Sequence, residues 1–130
     1  MEKDTEKFEV KLKWLGNYRF EARARNFVVS IDQREWEGGE GKGFKPTELL
    51  LSALAGCFAT NLVKVLRFRG VDFSNLSVRA TIEDRRNAIL EVSIDCKSNS
   101  ELKEVVEVAE EICKISSILK EGCNVTVCLL

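Results

Sequence analysis

The amino-acid sequence predicts an α+β fold, with antiparallel strands arranged around one long central helix. Two groups of segments with alternating apolar and polar residues are separated by a single long apolar stretch, Pro46–Gly70. Because the predicted strands are grouped before and after this stretch instead of alternating with helices, a βαβ architecture is not indicated. The predicted order of elements is β-β-β-α-β-β-α-α-β, and we expect one domain over residues 1–130.

The overall composition is typical of a soluble globular protein. Apolar residues make up 45% of the chain and charged residues 32%, and the formal net charge is −1. This charge gives no electrostatic reason to bind nucleic acid or an anionic membrane, so we expect neither partner. The N-terminal sequence MEKDTEKFEV lacks the apolar run of a signal peptide, which predicts a cytoplasmic protein with reduced thiols.

Three strands are predicted in the N-terminal part of the chain. The alternation over Phe8–Trp14 predicts the first, and a Gly16-Asn17 turn leads to a second over Phe20–Ala24. The run FVVSI predicts a third strand, and an antiparallel meander is the simplest arrangement of the three. The segment EGGEGKG that follows has the composition of a loop, and it fits neither of the glycine-rich phosphate-binding patterns.

The central stretch predicts a buried helix, because a helix that is apolar on every face is usually buried. Pro46 suits its first turn and Gly70 suits the position after its last, which gives a length of about 36 Å. No formal charge occurs between Glu48 and Lys64. A chain of this size rarely surrounds one such helix completely, so the pattern also indicates an oligomer.

A membrane-spanning helix is the alternative interpretation of this stretch. Such a span needs about 18–20 uncharged apolar residues. The charge-free window here is shorter and contains Ser52, Thr60 and Asn61. The sequence therefore favours a core helix.

A hairpin, two helices and a last strand are predicted after the central helix. Alternation over Leu76–Ile82 and Leu90–Cys96 predicts the hairpin, which turns near Arg86-Asn87. Ser98, followed three residues later by a glutamate, forms a capping box for a helix that ends near Cys113. The segment CKISSILKEG then predicts a short helix, and CNVTVCL predicts a closing strand.

The five cysteines and the lack of histidine restrict the possible chemistry. No CxxC pair occurs, so a metal site is not expected. Without histidine, an activated cysteine must depend on arginine, lysine or a helix N-terminus. Cys96 and Cys123 follow the apolar positions of their predicted strands as small apolar residues, and Cys128 alternates with these positions at an edge near the C-terminus. Cys57, inside the central helix, and Cys113, where the next helix ends, are either inert buried thiols or a reactive pair, and their spacing alone does not decide.

Two separate motifs resemble the OsmC/Ohr family of thiol peroxidases and OsmC-like proteins. The first is PTELLLSALAGC at the start of the central helix, and the second is EEICKISSILKEG. They occur in the family's order, with a hairpin between them, and the similarity runs from about Trp14 to Val127. The resemblance implies an intertwined homodimer in which both subunits wrap each central helix, as an all-round apolar helix would require.

The resemblance further implies that the protein reduces hydroperoxides with a cysteine pair. Cys57 matches the family's attacking cysteine and Cys113 its resolving cysteine. The Cys57 thiolate would become a sulfenic acid, Cys113 would condense with it, and an external dithiol would reduce the resulting disulfide. No metal, flavin or haem cofactor is implied.

An arginine and a glutamate beside the thiolate are also implied by the resemblance. Arg19 is the best match for the arginine, with Arg23 and Arg25 as alternatives, and Glu48 is the match for the glutamate. The peroxidases usually carry this glutamate directly after the proline, whereas this chain has Thr47 there, a pattern that resembles the less characterised OsmC-like branch.

The helical position of Glu48 leaves three interpretations open. Nine positions separate it from Cys57, which places the two side chains about half a turn apart on a straight helix. Either the helix start is bent, or Glu48 acts across a dimer interface, or it is only a first-turn acid that favours the helix dipole.

Three functions are therefore considered. The favoured one is a cytoplasmic, thiol-dependent hydroperoxide reductase that acts as a homodimer. The alternative is a non-enzymatic OsmC-like protein that binds a small hydrophobic ligand or senses redox state. In the third, all five cysteines only fill space in a structural protein.

Overall fold

The structure, a computed structural model, describes residues 6–97 and 99–130. Its residue contacts divide the chain into two units, Met1–Leu49 and Leu50–Leu130, which are treated separately below. The three predicted strands, the central helix, the hairpin and the two following helices are all present. The α+β class is thus confirmed, whereas one domain over residues 1–130 stays a prediction.

The first unit contains the predicted antiparallel meander. Its strands are β1 (Lys11–Trp14), β2 (Phe20–Ala24) and β3 (Phe27–Ile31), which pair in that order. The turn between β1 and β2 uses Gly16 and Asn17, both with positive φ (102° and 48°), as a tight turn requires. The period-2 pattern of the sequence is therefore sufficient to predict this sheet.

A buried carboxylate organises the loop after β3. Asp32 is 1% exposed, and its two oxygens accept backbone N–H bonds from Gln33, Glu40 and Lys42 at 2.7, 3.2 and 3.1 Å. The loop contains a short 3-10 helix, Glu35–Glu37. The glycine-rich segment thus wraps around one of the chain's own acidic groups, which its composition did not predict.

The central helix, α1, runs over Pro46–Phe68. Its buried side chains recur every four residues and form one stripe of Leu54, Phe58, Leu62 and Leu66. Burial on every face is therefore not achieved within one chain, because the elements that pack on α1 cover one side of it. By length and composition α1 could also cross a membrane, a test that the core helix of a soluble protein passes equally well.

The second unit places a hairpin and two helices against α1. Strands β4 (Phe73–Glu83) and β5 (Asn87–Cys96) pair antiparallel, with a register shift between Ser74 and Ser77. Helices α2 (Asn99–Glu111) and α3 (Lys114–Glu121) follow. Ser98 of the predicted capping box lies outside the described residues. The core comprises the α1 stripe with Val105, Ala109 and Cys113.

The structure differs from the predicted order at the end of the chain. Segment 122–130 belongs to no strand, although its sequence alternates as a strand does. Val125 and Val127 are 82% and 92% exposed. A strand needs a hydrogen-bonded neighbour, and among the described residues β4 and β5 pair only with each other. Alternation alone therefore does not produce the predicted closing strand.

Candidate active site

Cys57 and Cys113 come together in the second unit. Cys57 lies in the middle of α1 and is partly exposed, while Cys113 is 2% exposed at the break between α2 and α3. Cys113 has extended backbone angles (φ −75°, ψ 109°) and forms the N-cap of α3. Cys57 packs against the core cluster that contains Cys113, and each thiol shifts the pKa of the other as a hydrogen-bond partner. The sequence predicted both positions, and the fold brings them into contact.

The N-terminus of α3 lies at the Cys57 sulfur. Burial raises the pKa of Cys57, but three hydrogen bonds outweigh it: the backbone N–H groups of Ile115 and Lys114 and the Cys113 thiol. The Lys114 charge adds to them, and the resulting pKa is below the ordinary thiol value. Unpaired N–H groups at a helix start stabilise an anion, so this thiol is the more readily ionised of the pair.

Cys113 has the opposite electrostatic environment. Burial raises its pKa, and its hydrogen bond to Cys57 together with the Cys57 charge raises it further. The backbone N–H groups of Ser116 and Ile115 oppose this rise without cancelling it. The site can therefore hold one thiolate, Cys57, next to one protonated thiol, Cys113.

Asn61 links the two cysteine-bearing segments. Its side-chain nitrogen Nδ2 lies 3.9 Å from the Cys57 Sγ and 3.4 Å from the carbonyl oxygen of Ile112, the residue before Cys113. Neither Asn61 nor Lys114 was among the predicted site residues. Both had a sequence signal, since Asn61 is a polar residue within the charge-free part of α1 and Lys114 directly follows Cys113.

The predicted arginines belong to the first unit. Burial raises the pKa of Asp32, but the backbone N–H bonds that it accepts outweigh this effect, and the Arg19 charge is the smallest contribution to the lowered pKa. Arg23 donates to Glu21 at 2.6 Å, and the Arg25 guanidinium lies 4.9 Å from the Phe27 ring centroid. Their roles at the thiolate stay predictions.

Glu48 caps the start of α1. Its Oε1 accepts the backbone N–H of Lys45 at 2.7 Å. Lys45 directly precedes Pro46, so Glu48 occupies the third helical position and makes the carboxylate half of a capping box. This contact supports the first-turn interpretation of Glu48, and its catalytic role stays a prediction.

A cavity of about 460 Å³ opens beside Cys113 in the second unit. Side chains from α1, β5, α2 and α3 form its apolar wall: Leu54, Phe58, Leu90, Val92, Val106 and Leu119. Polar groups line the rest, among them Glu110, which accepts hydrogen bonds from Lys120 and Ser116. These two bonds lower the pKa of Glu110 against the effect of burial. The volume of the cavity is that of a small-molecule pocket.

Metal binding has no support in the described part of the chain. Within residues 6–97 and 99–130, no group of three or more histidine, cysteine, aspartate or glutamate side chains could hold a metal ion.

Comparisons with known proteins agree with this fold. The profile of a family described as OsmC-like protein matches residues 39–127. The chain is similar to a solved OsmC like protein from Mycoplasma pneumoniae, with 20% identity, a TM-score of 0.78, and coverage of 92% of this chain and 91% of that one. No curated protein matches the chain.

Two further solved structures are organic hydroperoxide resistance proteins. The one from Elizabethkingia anophelis is 18% identical, with a TM-score of 0.65 and coverage of 92% and 93% of the two chains. The one from Legionella pneumophila is 21% identical, with a TM-score of 0.57 and coverage of 91% and 92%. At these identities the likeness establishes the fold.

Proposed function

The chain belongs to the OsmC-like protein family, and on that premise we propose that it is a thiol-dependent peroxidase that reduces organic hydroperoxides. The observation that carries the proposal is the contact between Cys57 and Cys113, whose pKa values are shifted in opposite directions. A peroxidase needs a thiolate to attack and a nearby thiol to resolve the product. The two environments support the first role for Cys57 and the second for Cys113.

The reaction begins at the Cys57 sulfur. The thiolate attacks the terminal oxygen of the hydroperoxide, the O–O bond breaks, and the alkoxide leaves and takes up a proton to become an alcohol. Cys57 is oxidised to a sulfenic acid by this step. The N–H groups of Lys114 and Ile115 hold the sulfur as a thiolate before the attack.

Cys113 then resolves the sulfenic acid. Its sulfur attacks the Cys57 sulfur, the S–O bond breaks, and water leaves with the Cys113 proton to give a Cys57–Cys113 disulfide. An external dithiol supplies two electrons and two protons and returns both thiols. No metal or organic cofactor takes part in this cycle.

The remaining parts of the proposal come from the family resemblance. Arg19 would support the thiolate and Glu48 would orient Arg19, in a cytoplasmic homodimer. The dimer is supported by the large apolar side chains that one chain leaves uncovered, including Trp14, Phe68 and Val127 at 64%, 92% and 92% exposure.

Hydroperoxide consumption in the presence of a dithiol tests the proposal. Cys57→Ser should abolish turnover of an alkyl hydroperoxide, because serine is not oxidised to a sulfenic acid. Cys96→Ser is the matched control, since Cys96 lies at the end of β5 outside the pair, and it should retain parent activity. A parent protein that consumes no hydroperoxide, or a Cys57→Ser variant as active as the parent, would contradict the enzymatic function.

A non-enzymatic OsmC-like protein is the second candidate, and the cavity beside Cys113 favours it. A pocket of about 460 Å³ with an apolar wall suits a small hydrophobic ligand. Under this function an apolar fluorescent probe should bind the parent, and Leu90→Lys should abolish binding, while the parent should consume no hydroperoxide. Turnover by the parent would reject it.

A further inference from the structure

We propose that Asn61 is a positioning residue that holds the break between α2 and α3 against the Cys57 turn of α1, so that Cys113 stays within reach of the oxidised Cys57. The inference rests on the cysteine pair of the proposed function. It assigns a role in disulfide closure to a residue that lies outside both sequence motifs.

The geometry gives Asn61 two partners on different segments. Asn61 lies four residues after Cys57, so both side chains project from the same face of α1. Its amide nitrogen carries two hydrogens, which match the two acceptors within reach, the Cys57 Sγ at 3.9 Å and the Ile112 carbonyl at 3.4 Å. One side chain therefore connects the helix of the attacking cysteine to the backbone beside the resolving cysteine.

The Ile112 carbonyl is a suitable anchor. It directly follows the last residue of α2, where carbonyl groups lack partners within the helix. Cys113 is the next residue and has already left helical geometry. A bond at Ile112 therefore acts on the position of Cys113 through a single peptide unit.

The neighbouring polar residue Thr60 provides a comparison, because its side chain bonds within α1 and not to another segment. Its hydroxyl donates to the Gly56 carbonyl within α1 at 2.8 Å, and the residue is exposed. Asn61 instead bonds to a residue 51 positions away. Asparagine is a poor helix former, so its use inside α1 needs a contact that compensates for this cost.

The hydrogen bond from Asn61 to the Ile112 carbonyl matters most after Cys57 has been oxidised to a sulfenic acid. The hydrogen bond from the Cys113 thiol to the Cys57 thiolate changes when Cys57 becomes a sulfenic acid. The bond from Asn61 to the Ile112 carbonyl involves no sulfur and is independent of oxidation state. Because a disulfide needs Cα atoms within about 7 Å, this bond keeps the break in place while closure occurs.

The test compares Asn61→Leu, which keeps the size and removes both donors, with Thr60→Val as the matched control. Each protein is treated with one equivalent of an alkyl hydroperoxide, and dimedone traps the sulfenic acid at Cys57. We expect Asn61→Leu to close the disulfide about tenfold more slowly and to accumulate the dimedone adduct, since small misplacements of reacting groups are costly. The first oxidation should slow less than disulfide closure does, because the Cys57 pKa is lowered by the backbone N–H groups of Ile115 and Lys114 and by the Cys113 thiol. Thr60→Val should match the parent in both steps, since its hydroxyl bonds within α1.

A second oxidant separates this inference from the proposed function. Diamide joins neighbouring thiols without any peroxidase step, so it reports the geometry of the pair alone. If the parent consumes no hydroperoxide but closes the disulfide with diamide, and Asn61→Leu closes it more slowly, the positioning role stands and the peroxidase function fails. Equal closure rates for Asn61→Leu and the parent with diamide would overturn the positioning role.

Asn61→Ala is a second variant in case Asn61→Leu does not fold, because alanine is the best helix former. If Asn61→Leu unfolds, the same two rates are measured on Asn61→Ala and decide the question in the same way. If both variants are unfolded by far-UV circular dichroism, Asn61 is a folding residue and the positioning role is overturned.

Discussion

The two units of the chain are stabilised by different kinds of contact. In the second unit, seven buried apolar residues from α1, α2 and the α2–α3 break form a core. Among the described residues of the first unit, the buried side chain is the carboxylate of Asp32, and all of β1 is exposed. The second unit thus has a hydrophobic core of its own, whereas the first depends on strand pairing and a polar loop anchor.

The difference between the units shows that alternating apolar and polar residues predict a strand but do not predict which part of the protein buries its apolar face. Strand β1 has the alternating pattern of a half-buried strand, yet Leu12 and Trp14 are 57% and 64% exposed. The C-terminal segment has the same pattern and pairs with no strand among the described residues. A second copy of the chain is the partner that we propose for these surfaces.

The largest expected effect is on molecular mass. We expect sedimentation to show one species near twice 14.7 kDa, because a dimer would cover the apolar surface that the first unit leaves exposed. The Val127→Asp variant, which places a charge in the exposed C-terminal segment, should weaken association. If the parent protein remains monomeric at micromolar concentrations, no second copy covers the exposed apolar surface of the first unit, and the dimer prediction is wrong.

Core truncation should affect the second unit more than the first. Leu62→Ala should lower the free energy of unfolding by about 2–5 kcal/mol, because Leu62 is fully buried and its removal leaves a cavity. Leu12→Ala makes the same change at an exposed site in β1 and should cost less. Urea denaturation measures both, and equal losses would contradict the contrast between the units.

The first unit should instead be sensitive to the loss of its carboxylate. Asp32→Asn removes the charge that three backbone N–H groups share, so we expect a clear loss of stability at pH 7. The lowered pKa of Asp32 also predicts a pH dependence. A depressed folded-state pKa contributes stability above the unfolded value, about 3.9, which is lost as the pH falls through the folded pKa.

Denaturation midpoints at pH 7 and pH 3 check this prediction. Asp72→Asn, at an exposed position in the second unit, is the control and should change little at either pH. If Asp32→Asn and Asp72→Asn have the same effect, the polar anchor does not stabilise the first unit.

The smallest expected effect is a change in the pH at which Cys57 is alkylated, which tests whether the first or the second unit activates this thiol. Alkylation of Cys57 should have its midpoint at a lower pH than that of Cys113, because the thiolate reacts and the two pKa values are shifted in opposite directions. Lys114→Gln should raise the Cys57 midpoint only slightly. The Lys114 charge is the weakest of the effects that lower this pKa, and the N–H groups of α3 remain.

Arg19→Gln is the matching change in the first unit. If Arg19 serves the thiolate as the family resemblance implies, its loss should raise the Cys57 midpoint and reduce hydroperoxide turnover. Arg34→Gln, in the same unit at a position that was not a site candidate and whose guanidinium donates to Glu37, is the control. An Arg19→Gln variant that matches the parent in both measurements would leave α3 as the source of the activation and remove Arg19 from the site.

Local patterns in the sequence determined the elements and the two cysteine positions. Period-2 alternation predicted β1, β2, β4 and β5, but it also predicted a closing strand that residues 122–130 do not form, and the apolar run from Pro46 predicted α1. The position of Cys113 at a helix break also follows from the local sequence. These features depend on neighbours a few residues apart, which is why a single sequence predicts them.

Contacts between distant residues were decided only by the tertiary structure. The N–H groups of Lys114 and Ile115 lie at Cys57, and Asn61 reaches Ile112, because α3 and the α2–α3 break pack on the middle of α1. Asp32 likewise collects N–H groups up to ten residues away. Sequence spacing carries no distance between separate elements, so the acidity of Cys57 and the positioning by Asn61 follow from the way the helices pack.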